Sequence, residues 1–466
     1  MMNCRTSRWG LVLSVVVIGA CAPVGPDFVK PGIELPGEFS RGGVKWRRAR
    51  GEVPQAQAWW RLYRDGTLTA LVEQAVARNQ NLAAAAGRLH EARALSTAAR
   101  SMYFPDVNLG ASAARSKIRM PGPNGGTIQS NSFSVPVDFS YELDVWGKVR
   151  RQVEAADATA GAAQESLTAL RLSVAGEVAQ TYWALRAVDA NRAVLARTLE
   201  IRRRALELLG KRRDVGSISG LDLARAETEV ATAEASRLRL DQDRVVLVNA
   251  IAVLAGTVAT GTAIPEQTEL PSAPTVPMAV PSEMLRQRPD IRAAERRVAA
   301  ANAGIGVATA AFYPSISITA SSGLDTAHLS DLFNASSLVW SLGTNAMAPI
   351  TRGNLLRAKR EAAIAAHEVA SADYRQTVLD AMREVENALQ GAAILARRQT
   401  VQDQAVTAAR KTFELSAKRF KAGLISFLDV VDAERTRLEA EQAANAIRAE
   451  RLAVSVSLIK ALGGEW

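Results

Sequence analysis

The heptapeptide YFPDVNL at residues 103–109 returns in altered form as FYPSISI at residues 312–318. A second motif, GSISGLD at residues 216–222, returns as GLISFLD at residues 423–429. Two motifs that recur in the same order and at nearly the same offset indicate an internal duplication. We therefore predict two similar halves, each built from a short helix, a pair of strands and a long helical hairpin.

Strict alternation of apolar and polar side chains predicts a strand over residues 133–145. Seven apolar positions alternate with polar ones, three of which are acidic, so one face is apolar and the other is hydrated. A transmembrane barrel strand needs about 9–11 residues with this pattern. An amphipathic strand of a soluble sandwich has the same alternation, and Pro136 is unfavourable inside a paired strand.

The other strands are predicted from weaker alternation. The partner of the first strand runs from Asp106 to about Ile118, and the glycine- and proline-rich segment 121–126 supplies the loop. In the second half, residues 315–320 are predicted to form one strand and residues 340–350 the antiparallel return strand. Residues 321–337 are predicted to connect the two strands. The strand pairs thus occupy residues 105–145 and 314–351.

Long helical patterns without proline follow each strand pair. The segments are 148–214, 219–255, 354–421 and 426–462. At 1.5 Å per residue, the first of them is roughly 100 Å long if continuous. Such lengths favour a coiled-coil-like bundle or tube over an ordinary globular core.

These patterns predict five stretches of chain. They are a signal peptide at 1–20, an extended lipid-anchored segment at 21–58, a first repeat at 59–256, a proline-rich linker at 257–281 and a second repeat at 282–466. The first repeat begins with a helical region that continues from about Trp59 to Tyr103.

The N-terminus predicts export. Arg5 and Arg8 precede an apolar run at residues 11–18, which is too short to span a bilayer. The residues before Cys21 resemble a bacterial lipobox, and this resemblance implies cleavage there and lipid attachment to Cys21. Plain secretion with an incidental cysteine is the alternative. Because Cys4 lies in the removed segment, packing alone must stabilise the mature fold.

Charge and motif content argue against several functional classes. The net charge of +10 is compatible with nucleic-acid binding, but only 5% of residues are aromatic and the basic residues are spread along helical patterns. We interpret them as solvated helix faces and predict no nucleic-acid partner. His90, His328 and His367 lack metal-ligand spacing, and no phosphate loop or nucleophile motif is present. We predict no enzyme, no metal and no cofactor.

Four strands per chain cannot close a barrel, and an open sheet edge cannot lie in lipid. If the strands span a membrane, several chains must share one barrel. Two chains would give about eight strands with a filled interior, and three would give about twelve with an aqueous lumen. The helices would then continue the tube away from the membrane.

The residues also resemble a known family, the TolC-type outer-membrane efflux proteins, and within it the lipid-anchored OprM/NodT-like subgroup. The resemblance rests on WW at residues 59–60, YELDVWGK at 141–148, RPDI at 288–291, FYPSI at 312–316 and ALGGEW at 461–466. It implies a fold that is mainly α with a small β part, in which a homotrimer forms a periplasmic α-barrel and a shared outer-membrane β-barrel.

The resemblance implies a function and partners as well. The chain would be the lipid-anchored outer-membrane channel of a tripartite efflux system, passively conducting small molecules such as drugs. A periplasmic adaptor and an inner-membrane transporter, often of the resistance–nodulation–division type, would be its partners. The alternative is a lipid-anchored periplasmic adaptor, which needs only one hairpin and a compact β domain. A lipoprotein hydrolase would need a nucleophile–base pair, which the sequence does not offer.

The resemblance further implies a closed periplasmic entrance at the hairpin ends. Leu428 would form an apolar constriction, and Asp429 and Asp432 would form rings of about six carboxylates in three chains. Ser426 with Asp429, and Ser219 with Asp222, also read as helix caps, so Asp429 and Asp222 remain open between cap and gate. Asp432 lies one turn later and is the predicted gate acid.

The position corresponding to Asp432 in the first half is Arg225. Our hypothesis is that Arg225 and Asp432, or neighbours such as Asp222, latch the closed tip. Ile425 stands where some relatives carry a basic residue, so the latch partners remain open.

Overall fold

The computed structural model of the protein describes residues 23–33, 56–121, 126–215, 218–274 and 288–464. The chain forms two compact units, and each unit takes segments from both sequence repeats. The first unit includes the sheet and comprises Arg88–Gln164, Ala293–Arg375 and the described residues 23–32. The second comprises Glu165–Arg292, Gln376–Trp466 and the described residues 33 and 56–87. The predicted repeats, residues 59–256 and 282–466, describe the sequence duplication and not these two units, and their boundaries remain predictions.

Seven α-helices lie in the described residues. They are α1 (Gly66–Arg78), α2 (Gln80–Ser101), α3 (Lys148–Asp214), α4 (Gly220–Leu254), α5 (Pro289–Ala310), α6 (Gly353–Lys421) and α7 (Phe427–Ala461), and a 3-10 helix covers Ala56–Tyr63. The four long helices begin and end within one residue of the predicted bounds. Within the described part of the chain, no helix has both the length and the apolar character needed to cross a membrane.

The first predicted helical region is divided rather than continuous. The Asp65 carboxylate accepts from the Leu68 backbone N–H at 2.9 Å and caps α1. The Asn79 side chain accepts from the Asn81 backbone N–H at 2.9 Å, and its amide donates to the Leu254 carbonyl at 2.9 Å. Side chains that bind neighbouring backbone groups compete with helix continuation, so Asn79 ends one helix and begins the next.

The sheet is antiparallel and follows the order β1–β3–β4–β5, with β2 also pairing with β3. Its strands are β1 (Asp106–Leu109), β2 (Ser112–Arg119), β3 (Thr127–Leu143), β4 (Ser315–Thr326) and β5 (Leu338–Met347). The prediction that residues 321–337 form the connection is wrong for its first part, because β4 continues to Thr326. The long β3 supplies backbone partners for residues 321–326, most of which are polar, up to the Phe133–Thr326 pair.

The predicted partner strand, from Asp106 to about Ile118, is interrupted between β1 and β2. Leu109 pairs with Val137 and Ser112 pairs with Ser134, so the register is the same on both sides of the gap. Opposite the gap lies Pro136, which has no N–H to donate. Its carbonyl still accepts from the Gly110 N–H at 2.9 Å. The hairpin is therefore continuous, and the interruption reflects the one backbone hydrogen bond that Pro136 cannot donate.

The two faces of the sheet differ in polarity. One face, called the apolar face below, carries alternate residues of β3 and their partners, such as Tyr141 opposite Ile318 and Phe139 opposite Ala320. The other, the polar face, carries Asp138 and Glu142 opposite serines of β4. The alternation predicted for residues 133–145 is confirmed by this pairing.

Aromatic and ionic contacts fill the core of the second unit. Trp183 is fully buried, and its ring centroid lies 5.2 Å from that of Tyr63. The Asp189 carboxylate is also buried and accepts from Arg186 and Arg244, each at 2.8 Å. These two arginines donate to carbonyls of Pro265 and Ile264, at 2.6 Å each. The buried ion cluster thus holds the start of the proline-rich linker; residues 275–281 of the predicted linker lie outside the described residues.

Candidate functional site at the hairpin ends

The second hairpin turns between α6 and α7. Gly423 adopts φ +74° after the last turn of α6, and its N–H donates to the Phe420 carbonyl at 3.0 Å. This left-handed conformation suits glycine and ends the helix. Ser426 then caps α7 in a reciprocal pair: the Asp429 N–H donates to the Ser426 hydroxyl at 3.4 Å, and the Ser426 N–H donates to the Asp429 carboxylate at 2.9 Å.

Two further predicted gate residues lie on the exposed side of α7. Leu428 is 54% exposed, and Asp432 is also exposed one turn later. Residues four apart lie on one helix face, so Leu428 and Asp432 present an apolar and an acidic group together. In the part of the chain that the structure describes, the Asp432 carboxylate has no ion-pair partner. Asp429 is engaged in a cap, and its gate role stays a prediction.

The first hairpin has a matching but looser arrangement. Ser219 caps α4 by accepting from the Asp222 N–H at 3.3 Å. The Arg225 guanidinium lies 3.8 Å from the Asp222 carboxylate on the same helix. Within one chain, then, Arg225 pairs with its helical neighbour. The latch hypothesis for Asp222 and Arg225 stays a prediction.

Sequence reasoning missed a buried ion network around Glu434, which lies two residues after Asp432 on α7. Arg202 on α3 donates through Nε to Glu434 on α7 at 2.9 Å and lies 3.0 Å from Glu229 on α4. Arg435 donates to the other Glu229 oxygen at 2.9 Å. Three helices are therefore joined by charge pairs whose central members, Arg202 and Glu434, are both buried.

Burial raises the pKa of the Glu434 carboxyl above its ordinary value of 4.5, although the hydrogen bond from Arg202 acts in the opposite direction. A cavity of about 30 Å³ adjoins it, lined by apolar side chains that include Phe413, Phe427 and Val430. A signal was present in the sequence. Glu434 continues the helical spacing of Phe427, Val431 and Leu438, and a charge within an apolar stripe needs a buried partner.

A described stretch of the N-terminal segment packs against the sheet unit. The Val24 N–H donates to the Trp146 carbonyl at 3.0 Å, and Arg151 donates to the Asp27 carboxylate at 2.8 Å. Gly147 has φ +76°, and a Cβ at this position would lie 2.5 Å from the Pro23 Cα. Residues 23–27 are thus held against the start of α3. The predicted lipid attachment residue, Cys21, and the signal peptide lie outside the described residues.

Among the described residues, no group of histidine, cysteine and acidic side chains could hold a metal ion. The features that remain are an apolar and acidic hairpin end, a two-faced sheet and a duplicated helical body. The sequence profile of the outer membrane efflux protein family matches residues 71–257 and 280–464, once in each half. This chain belongs to the outer membrane efflux protein family.

Individual relatives agree with this assignment. The solvent efflux pump outer membrane protein SrpC of Pseudomonas putida is 30% identical, over 98% of this chain and 97% of its own length. The pyoverdine export outer membrane protein OpmQ of Pseudomonas aeruginosa is 29% identical, over 98% and 96%. The structure of the outer-membrane channel OprN superposes with a TM-score of 0.87 at 32% identity, covering 95% of this chain and 99% of that one.

Family membership decides several predictions. The mainly helical fold with a small sheet is confirmed, as are the efflux-channel function and the outer-membrane location. The chain is not an enzyme, since the family consists of channels for efflux. The alternative of a periplasmic adaptor is not supported, because the matches over nearly the whole chain are to outer-membrane efflux proteins.

Proposed function

We propose that three copies of this chain form the outer-membrane duct of a tripartite efflux system. The observation that carries this proposal is the open sheet. Among the described residues, β1 and β2 at one edge and β5 at the other pair on one side only. Unpaired backbone groups are not tolerated in lipid, so neighbouring copies must complete the barrel. Four strand positions from each of three chains give twelve, which is wide enough for an aqueous lumen.

The height of the apolar face supports a membrane position for the sheet. On β3 the apolar rungs run from Leu143 to Phe133, with every second residue on this face. The ten steps between these residues, at about 3.3 Å each and tilted by roughly 40°, rise about 25 Å. This is the height of the apolar band of outer-membrane barrels. The polar face, with Asp138 and Glu142, would then line the lumen.

The partners follow from the location of the chain. A passive duct in the outer membrane cannot draw energy from the inner membrane, so an inner-membrane transporter, of the resistance–nodulation–division type, and a periplasmic adaptor would drive export. SrpC is named as part of an efflux pump, which supports a multicomponent system. Its name refers to solvents and that of OpmQ to pyoverdine, so the cargo of this chain is given only as small molecules such as drugs or other toxic compounds.

The finer site assignments belong to the same proposal. A lipid on Cys21 would anchor the chain next to the sheet, because residues 23–27 pack against the segment that follows β3. Leu428, Asp429 and Asp432 would surround the periplasmic entrance of the trimer. The pair of Asp222 and Arg225 would be available to exchange partners when neighbouring copies close that entrance.

The test uses the full-length protein extracted from outer membranes. A shared barrel is expected to migrate on a gel as a trimer in mild detergent and as a monomer after boiling. Reconstituted into planar bilayers, the same preparation is expected to conduct ions. A preparation that is monomeric before heating and gives no conductance would exclude the duct. An adaptor in the same assay would give no conductance, whatever its oligomeric state.

A further inference from the structure

Charged side chains of the sheet are sorted by face. Arg115, Lys117 and Arg119 occupy alternate positions of β2, so all three point to one side. The register places Arg115 opposite Asn131, two residues from Phe133 on β3. The three cations therefore belong to the apolar face and continue it toward the turn between β2 and β3.

The carboxylates lie on the other side of the sheet. Asp138 pairs with Asn108 and Ser321, and Asp325 pairs with Ser134, all on the polar face. No acidic residue of the described strands shares the face of the three cations. All three are exposed, and the partner found for Arg115 is the neutral Gln129 amide, whose oxygen can accept from the guanidinium at 2.8 Å. The positive charge of this strip is thus left uncompensated by the sheet.

The depth of the strip is set by the apolar band. The band ends at Phe133 and its partner Ala113, and Arg115 is the next residue outward on the same face. Each further pair of residues along a tilted strand rises about 5 Å along the membrane normal. The three cations therefore lie roughly 5, 10 and 15 Å beyond the edge of the hydrocarbon. They lie at the sheet end away from α3. With the helices in the periplasm, this end faces the outer leaflet.

We propose that Arg115, Lys117 and Arg119, called the cation strip, bind the phosphate groups of lipopolysaccharide in the outer leaflet. The proposal rests on the membrane position of the sheet in the proposed duct. Guanidinium groups bind phosphate oxygens in bidentate fashion, and lysine acts as a point charge. A row of three cations spaced along the outward face matches a phosphorylated glycolipid whose acyl chains lie on the apolar band below. The strip would thereby fix a lipid shell around the barrel.

The test compares three proteins as purified trimers. The strip variant carries Arg115→Gln, Lys117→Gln and Arg119→Gln. The control carries Arg352→Gln, Arg357→Gln and Lys359→Gln, which remove the same number of exposed charges near the start of α6. Native mass spectrometry measures retention of diphosphoryl lipid A, of lipid A without phosphates, and of diphosphoryl lipid A in the presence of inorganic phosphate.

The unaltered protein and the control are expected to retain diphosphoryl lipid A. The strip variant should bind it roughly a hundredfold more weakly, since each basic residue near an anionic surface contributes about fivefold. Lipid without phosphates should bind all three proteins equally weakly, and inorganic phosphate should not displace diphosphoryl lipid A.

Equal retention by the strip variant, or an equal loss in the control, would overturn the proposal. Displacement of the lipid by inorganic phosphate would also overturn it, because the strip would then be a site for free anions and not for lipopolysaccharide. The strip variant should keep its heat-labile trimer band and its conductance, so failure of this inference leaves the duct intact. If the triple variant does not fold, Lys117→Gln alone should weaken binding about fivefold.

Discussion

Arg202 on α3 and Glu434 on α7 are 232 residues apart in sequence, yet the arginine Nε donates to the glutamate Oε2 at 2.9 Å in a buried position. The pair joins the two sequence repeats at a point seven residues, about two turns, into α7. Removing one member of a buried pair costs more than removing both, because the remaining charge stays in the interior with fewer partners.

Glu434→Leu is expected to destabilise the protein by about 1.5–3 kcal/mol, since Arg202 would keep Glu229 but lose the hydrogen bond to its buried carboxylate partner. The double variant Arg202→Met with Glu434→Leu should recover much of that loss. The temperature at which helical circular dichroism is lost measures both effects at pH 7. A double variant that is no more stable than Glu434→Leu would contradict this account of the pair.

The same glutamate predicts a pH dependence. Its pKa is raised in the folded state, mainly by burial, so the folded chain holds this proton more tightly than the unfolded chain does. The contribution of Glu434 to stability is therefore fully present below the unfolded value of 4.5 and is lost as pH rises through the folded pKa. Glu434→Gln should flatten the dependence of melting temperature on pH just above 4.5. Identical slopes for the variant and the unaltered protein would show that the folded pKa is not raised.

Gly323 lies opposite Pro136, and a Cβ at this glycine would lie 2.5 Å from the Pro136 Cα. Gly323→Val is therefore expected to separate β3 from β4 and to reduce the yield of heat-labile trimer strongly. Gly343→Val is the matched control, because the nearest heavy atom to a Cβ there is the Thr319 Oγ1 at 3.6 Å. Equal yields for the two variants would argue against close packing at Gly323.

Asp432→Ala is expected to lower the permeability ratio of K⁺ to Cl⁻ toward one in planar bilayers, because three carboxylates would be lost from the entrance. The control is Asp243→Ala, which removes an exposed acid far from the hairpin ends. Unchanged conductance and selectivity in Asp432→Ala would contradict the prediction that this residue contributes to the gate.

Asp189→Asn should loosen the proline-rich linker. The buried Asp189 carboxylate binds the two arginines that hold the Pro265 and Ile264 carbonyls. Neutralising it leaves two cations short of a partner, at a cost of about 3–5 kcal/mol. Limited proteolysis should cut the linker faster than in the control Asp403→Asn, which affects a more exposed pair with Arg448 away from the linker. Equal cleavage rates would show that other contacts hold the linker.

Local patterns predicted the elements well where they were long and uninterrupted. The helices ending at Asp214 and Lys421 contain no proline and are followed by Ser219 and Ser426, which cap the next helices. The extent of β4 was underestimated, since pairing with β3 continues through serines that carry no apolar signal.

Tertiary ion pairs were beyond local reasoning. Arg202, Arg203 and Arg204 look alike in the sequence, but the helical period places one of them toward the core, where Glu434 lies on a distant helix. The role of Asp429 as a cap was visible in its spacing from Ser426. Its role in a gate depends on neighbouring copies, which a single sequence does not contain.

The packing of Pro23 on Gly147 has a consequence for how the protein is inserted. If the lipidated residue were followed by a flexible segment, its acyl chains could take many positions in the inner leaflet relative to the barrel. Here the chain is already immobilised two residues after Cys21, so lipids on that cysteine would enter the bilayer at one fixed place on the circumference. In a three-fold assembly the lipids would form three evenly spaced anchors, which would oppose tilting of the barrel in the membrane.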